Sequence, residues 1–325
     1  MRARLIGPIL GLLALGSAWS ASAESFPDRP ITMIVPLAAG GPTDTLARIL
    51  AEAMRSSLGQ PVVVENVTGG AGTTGIVKAV RAEPDGYTVV IGNWFTHVVN
   101  SAIYPDRINP VRDFEPVSLV GDNPLLIVAK KGVPANNLSE LISWLKTNAG
   151  TASEGTSGAG SASHIAGVLF QQATGTQFQF VPYRGAAPAM HDLVGGQIEL
   201  MFDQVSSSLP YVRADQIRAY AVTAKTRATI ALDIPTVDEA GLPGFHVSVW
   251  HAIWAPKNTP AERIRKLNAA VADALRSPSV RARLAELGQE LPSQDRQTPQ
   301  ALATHQRTEM DKWWPIVKAA NIKAN

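Results

Sequence analysis

The sequence predicts an α/β protein of two lobes with mainly parallel sheets. Three observations lead there. Short β-branched runs alternate with amphipathic helical stretches, which is the pattern of βαβ units. That alternation pauses at Pro124 and then resumes. The chain of 325 residues also exceeds the roughly 100–200 residues of one ordinary domain.

The elements follow in order. Arg2 and Arg4 precede the apolar run "LIGPILGLLAL", Leu5 to Leu15, and "ASA", Ala21 to Ala23, has the form of a cleavage site. Residues 1–23 therefore read as a signal peptide cut after Ala23, with Glu24 beginning an exported chain. The run is shorter than the ~20 apolar residues that span a bilayer. "ITMIVPL" from Ile31 reads as a buried strand; Leu46, Ile49, Leu50, Ala53 and Met54 then recur at helical spacing until Gly59. "PVVVENV" and "YTVVIGN" repeat the strand signal. Beyond Pro124 come the strand "LLIVAK" and a helix "LSELISWLKTN" opened by Asn137 or Ser139. A strand near Thr151, a glycine turn and the helix "SASHIAGVLFQQATG" follow, then "FQFVPY", a short helix through Met190 and Leu193, "IELMFDQ" and "IRAYAVTA". Trp250 and Trp254 lie on a strand-like run and are expected in the core. The first of the long C-terminal helices reads as opened by a capping box, Thr259 with Glu262, with Pro260 at its first helical position.

Composition excludes several classes. At 45% apolar and 17% charged residues, the chain has the balance of a folded soluble protein. A formal charge of +2, with Lys and Arg scattered, gives no footprint for nucleic acid. With no cysteine there is no disulfide, thiolate nucleophile, zinc–thiolate site or lipid-modified N-terminal cysteine.

Chemistry is concentrated in two glycine turns. A helix that starts after a glycine turn presents unpaired N–H groups and the positive end of its dipole, which suits an anion. In "AAGGPTD", Gly40 and Gly41 make the turn, Pro42 suits the helix entry, Thr43 adds a hydroxyl, and Asp44 is positioned to cap N–H groups. The lysine of a P-loop and the G-x-G-x-x-G dinucleotide fingerprint are both missing here, so a carboxylate fits better than a phosphate, and no cofactor is implied. The device recurs in "EGTSGAGSASH", Glu154 to His164, where Ser157, Ser161 and Ser163 crowd around Gly158 and Gly160. One turn in each lobe would grip a single anion from both sides of a cleft. A competing reading takes "GTSGA", Gly155 to Ala159, as the nucleophile elbow of an exported serine esterase. Ser157 would then attack, with His246 or His251 as base and Asp203 or Asp233 as acid. Against it, Ser157 lies several residues before its helix, in a donor-rich loop.

With both turns placed, the chain resembles the Bug family, the TctC-like periplasmic solute-binding proteins of tripartite tricarboxylate transport systems. The resemblance rests on "FPDRPITMIVPLAAGGPTDTLAR", "LGQPVVVENVTGGAGTTG", "EPDGYTVVIGN", "THVVNSAIYP", "DFEPVSLV", "GTSGAGSASHIAGVLFQQATG", "VPYRGAAPAMHDLVGGQIELMFD", "IRAYAVTA" and "IPTVDEAGLPGF", in the family's order over nearly all of the mature chain. It implies a two-lobe type II periplasmic binding protein fold, a "Venus flytrap" with a hinge, that closes on a small carboxylate without catalysis. It further implies docking to the membrane permease subunits of such a transporter, and a monomer. Lobe one is expected at 24–122 plus 225–325 and lobe two at 123–224, with crossings near Val120 to Asp122 and Thr223 to Lys225.

By position, the family's carboxylate-holding turns match Pro36 to Asp44, with Leu37 and Ala39 among them, and Ser157 to His164. Further cleft residues implied are Thr96, His97, Tyr183, Arg184, Gly185 and Asp203. One departure is "NWFTH": Trp94 and Phe95 stand where relatives often carry small polar residues. If both rings face the cleft, an aromatic mono- or dicarboxylate such as terephthalate is the expected ligand, with an aliphatic di- or tricarboxylate as the alternative. Arg184 or His97 would meet a second ligand group.

Overall fold

The computed structural model describes residues 26–158 and 160–319. The signal segment and its cleavage point lie outside the described residues, as does Ala159. The chain forms β1 (Ile31–Val35), α1 (Pro42–Leu58), β2 (Val62–Asn66), α2 (Thr73–Val80) and β3 (Thr88–Asn93). A π-helical turn over Phe95–Val99 and two short helices, α3 (Asn100–Ile103) and α4 (Pro110–Asp113), lead into the long strand β4 (Phe114–Lys130). Next come α5 (Leu138–Thr147), β5 (Ser153–Thr156), α6 (Ala162–Thr174), β6 (Gln179–Pro182), α7 (Ala186–Val194), β7 (Leu200–Gln204), α8 (Val205–Arg213) and β8 (Ile217–Val222). β9 (Ser248–Pro256), α9 (Ala261–Arg276), α10 (Pro278–Glu286) and α11 (Pro299–Ala319) complete it.

Local chemistry explains the boundaries. α1 begins with Pro42 after the extended Gly41 and stops at Gly59, whose φ of 70° suits glycine. Asn137 caps α5 by accepting the Glu140 N–H, and Ser161 caps α6 by accepting that of His164. The expected capping box does not form: Pro260 keeps ψ at 136° and stands outside α9, and the Thr259 hydroxyl donates to the Pro256 carbonyl.

Parallel pairing holds in the two wings, β2–β1–β3 on one side and β6–β5–β7 on the other. Between them the pairing is antiparallel: β9 runs against β3, and β4 runs against β9, β7 and β8. β4 pairs with β9 through Pro124 and changes partners at Leu125, from which it pairs with β7 and β8. Thr223, just after β8, ties this exchange point: its hydroxyl accepts the Leu125 N–H at 2.9 Å and donates to the Val247 carbonyl at 2.5 Å. One apolar cluster runs through the junction, from Ile34 and Ile76 past Trp254, Leu125 and Ile127 to Phe170 and Phe202, and Trp250 and Trp254 are buried in it as expected.

Candidate ligand-binding site

A cavity of about 460 Å³ opens where the wings face each other. Among the described residues, four helices start at its wall. α1 brings Leu37 and Pro42; α6 brings Ser157, Ser161, Ala162 and Ser163; α7 brings Gly185 and Ala186; α8 brings Gln204 and Ser207. The first N–H groups of a helix have no acceptor within it, and each start carries a partial positive charge. Phe95, Leu125, Phe202 and Val249 form an apolar wall, and Asn93 and Asp203 add polar groups. Among the described residues the lining contains no Lys, Arg or His. A larger surface hollow of about 790 Å³ beside α2, lined by Lys78, Arg81 and Arg107, gathers none of these turns.

The first turn supplies less than its sequence promises. Asp44 is buried, and its carboxylate accepts from the Gly40 N–H at 2.8 Å, from Arg48 at 2.9 Å and from Asn66 at 2.9 Å. It is therefore a cap and not a ligand contact, which corrects its place among the cleft residues; these donors hold its carboxyl below the ordinary range although burial opposes them. Thr43 is buried within 3.2 Å of His251 Nε2 and 3.4 Å of Asn93 Nδ2, so it orients Asn93 at the cavity and does not itself line it. Ala39 and Gly40 are exposed and Gly41 half-buried, all outside the lining.

The second turn is a hydroxyl relay. Ser163 Oγ accepts the Ser157 N–H at 2.9 Å and lies 2.9 Å from Ser161 Oγ and 3.5 Å from Ser157 Oγ. Gly158 N–H donates to Thr156, and Gly160 N–H donates to His164 Nδ1 at 2.9 Å. That bond requires an unprotonated Nδ1, in agreement with burial lowering the His164 pKa, and the ring packs edge-on to Phe180, outside the cavity lining. Neither proposed esterase base meets Ser157: His251 Nε2 faces Thr43, and His246 faces Asp238 at 2.9 Å.

"NWFTH" divides. Trp94 is fully buried, packed edge-on against Trp313 with ring centroids 4.8 Å apart, so it belongs to the core and not to the cleft. Phe95 alone of the two rings reaches the cavity. Thr96 closes the turn on Asn93, and the fully buried His97 stacks on Trp254 at 3.6 Å, with burial lowering its pKa to about 3. The π-helical turn drives both inward, and neither lines the cavity. Tyr183 donates its hydroxyl to Asp192 at 2.6 Å, its own pKa pushed up to about 12 chiefly by burial, and Arg184 is exposed; only Gly185 of that triplet lines the cavity.

Asp203 does line the cavity at 5% exposure, and Ser208 Oγ donates to its Oδ2 at 2.8 Å. Burial pushes its carboxyl up to about 6, against the Ser208 hydroxyl and the Gln204 N–H. Sequence reasoning missed Asn93, Phe202, Gln204 and Ser207. The α7 start had a signal in Gly185 ahead of an apolar run, but "DQVSS" at the α8 start carries no glycine to announce it.

Comparison with known proteins places this geometry. Residues 46–322 match the family model for TctC, the tripartite tricarboxylate transporter family receptor. An Agrobacterium vitis UPF0065 protein from the TAR-I ttuE–ttuC′ intergenic region is 40% identical over 98% of this chain and 92% of its own. BugT of Bordetella pertussis is 34% identical over 95% of this chain and 94% of its own. Among solved structures, MatC of Rhodopseudomonas palustris with bound malate is 38% identical with a TM-score of 0.79, covering 90% of this chain and 100% of that one. An R. palustris protein with adipate is 34% identical with a TM-score of 0.81, covering 92% and 99%. A receptor model matched over most of the chain, with full-length relatives above 30% identity, leads to one assignment: the chain belongs to the TctC, or Bug, family of periplasmic solute-binding receptors of tripartite tricarboxylate transporters.

Proposed function

We propose that the mature chain, exported and cut after Ala23, works in the periplasm as a monomer that captures a small carboxylate and hands it to the permease subunits of a tripartite tricarboxylate-type transporter. The observation that carries this reading is the cavity where, among the described residues, four helix starts and a serine relay meet without one basic side chain. Neutral donors of that kind suit a carboxylate, directly or through water, and need no metal or clamping lysine. Lobes 24–122 plus 225–325 and 123–224 close on the anion about Leu125 and Thr223, each wall giving part of its donors.

The apolar wall around Phe95 favours a ligand with an apolar skeleton, and an aromatic mono- or dicarboxylate such as terephthalate is the finer proposal. The burial of Trp94 leaves that proposal one ring poorer, and the relatives solved with malate and adipate favour a second reading, a linear aliphatic diacid. A thermal-shift screen of the mature protein against aromatic and aliphatic mono- and dicarboxylates tests both. A ligand at about 100 times its Kd adds about 2.7 kcal/mol. Stabilisation by one class and not the other names the ligand; no stabilisation by any acid would remove the carboxylate reading.

A further inference from the structure

The cavity presents an electrostatic conflict. Its proposed guest is an anion, yet among the described lining residues Asp203 alone is titratable, and it is an acid. The elements that meet there offer it no cation. Asp44 of α1 is bound to Arg48, and Arg48 is thereby engaged away from the cavity. His251 of β9 faces Thr43, and His164 of α6 faces the Gly160 N–H. Glu154 of β5 lies buried against Gly167. Tyr183, ahead of α7, donates to Asp192, and Arg213 of α8 donates to the Ile230 carbonyl. On β4, Asp122 lies in the first-lobe half of the strand, paired through its backbone with Glu290, and Lys130 at the far end holds Glu199. Arg184 is exposed and outside the lining.

We propose, resting on the carboxylate reading above, that capture is coupled to a proton: the cleft takes up one ligand anion together with one proton, which is held on Asp203. The geometry supports this. Asp203 stands at the cavity wall with its side chain almost wholly enclosed, Ser208 donates to Oδ2, and the described lining residues bring no cation to hold its ionised form. An anion brought into the same low-dielectric space disfavours the ionised carboxylate further. The step balances simply. Asp203 carboxylate, ligand carboxylate and a solvent proton give the neutral Asp203 carboxyl beside the bound anion, and the proton returns to solvent when the ligand leaves. With its free carboxyl near 6, Asp203 is mostly ionised at pH 7.5, so the proton has to come in with the ligand. Asp203 thereby acts as a specificity element, admitting an anion without a counter-cation at the cost of a proton.

The test is titration calorimetry with adipate and terephthalate as probes, at pH 7.5 in buffers of different ionisation enthalpy, on the wild type and Asp203→Asn. The expected result is uptake approaching one proton per ligand in the wild type and none in the variant. Between pH 7 and 8.5 wild-type affinity should fall up to tenfold per pH unit, while the variant stays level. Should the variant fail to fold, the wild-type uptake and pH slope stand as the measure. Binding without proton uptake, or uptake that persists in Asp203→Asn, overturns the inference and leaves the carboxylate reading intact. Preference for an amino acid with no pH dependence also overturns it, because Asp203 would then pair with the ligand's ammonium group. Failure of both proteins to bind adipate, terephthalate or any other carboxylate at any pH removes the carboxylate reading itself and this inference with it.

Discussion

Trp94 and Phe95 are neighbours in sequence and opposites in the structure. Both rings follow the end of β3 in helical backbone, where successive side chains leave the axis about 100° apart, so two adjacent rings meet different surroundings. The sequence shows the bulk at "NWFTH", but which ring turns outward depends on Trp313, over 200 residues away, receiving the other. Phe95→Ser is expected to weaken ligand binding by about tenfold, the equivalent of 1.4 kcal/mol, with little change in melting temperature. Trp94→Ala should instead cost about 3–5 kcal/mol of stability through the cavity it leaves. Calorimetric binding and thermal melts on the two variants separate these effects. Glu290 gives a pH prediction at the same scale. Burial, with the nearby Asp122 carboxylate adding to it, lifts its carboxyl to about 7, from an ordinary value of 4.5. Below pH 4.5 folded and unfolded chains are both protonated there. Between 4.5 and 7 only the folded chain keeps the proton, so this group's contribution falls as pH rises and levels off above 7. Glu290→Gln should flatten that part of the stability profile in melts from pH 4 to 8.

At the scale of elements, strands and helices were largely legible because apolar periodicity is local: β1, α1, β2, β3, α5, α6 and β7 stand close to where their sequences put them. Strand direction was not legible, since alternation is the same in either direction, and so the antiparallel centre formed by β4 and β9 escaped the reading. The candidate site was half legible. The glycine turns before α1 and α6 announced themselves, but the latent donors of α7 and α8 depend on where those helices point in space. Gly185 tests their weight. It caps α7 at φ 123° and ψ 174°, a region that is essentially glycine's own, and no atom stands within 4 Å of the position its Cβ would occupy. The cost of Gly185→Ala is therefore backbone strain, of order 1–3 kcal/mol. The variant should bind carboxylates more weakly as the helix start shifts, and should melt lower. A binding curve unchanged from wild type would take α7 out of the site.

For the whole molecule, the division into 24–122 plus 225–325 and 123–224 is our proposal, and the change of partners along β4 at Leu125 supports a hinge there. Small-angle scattering with and without saturating ligand should show compaction, and an unchanged radius of gyration would remove closure from the mechanism. The same strand carries another consequence. β4 is a structural member of both sheets, and one apolar cluster runs around it from Ile34 to Phe202, so the two sides share a strand and part of their interior although two further apolar clusters lie apart from it. Melting one lobe strips the other of a strand and of part of its interior. The chain should accordingly unfold as a single cooperative unit, with equal calorimetric and van't Hoff enthalpies, despite its two-lobed outline. A receptor that melts this way populates no half-folded state at equilibrium, and a solute bound in the cleft should raise the melting temperature of the whole chain, the far ends of the molecule included.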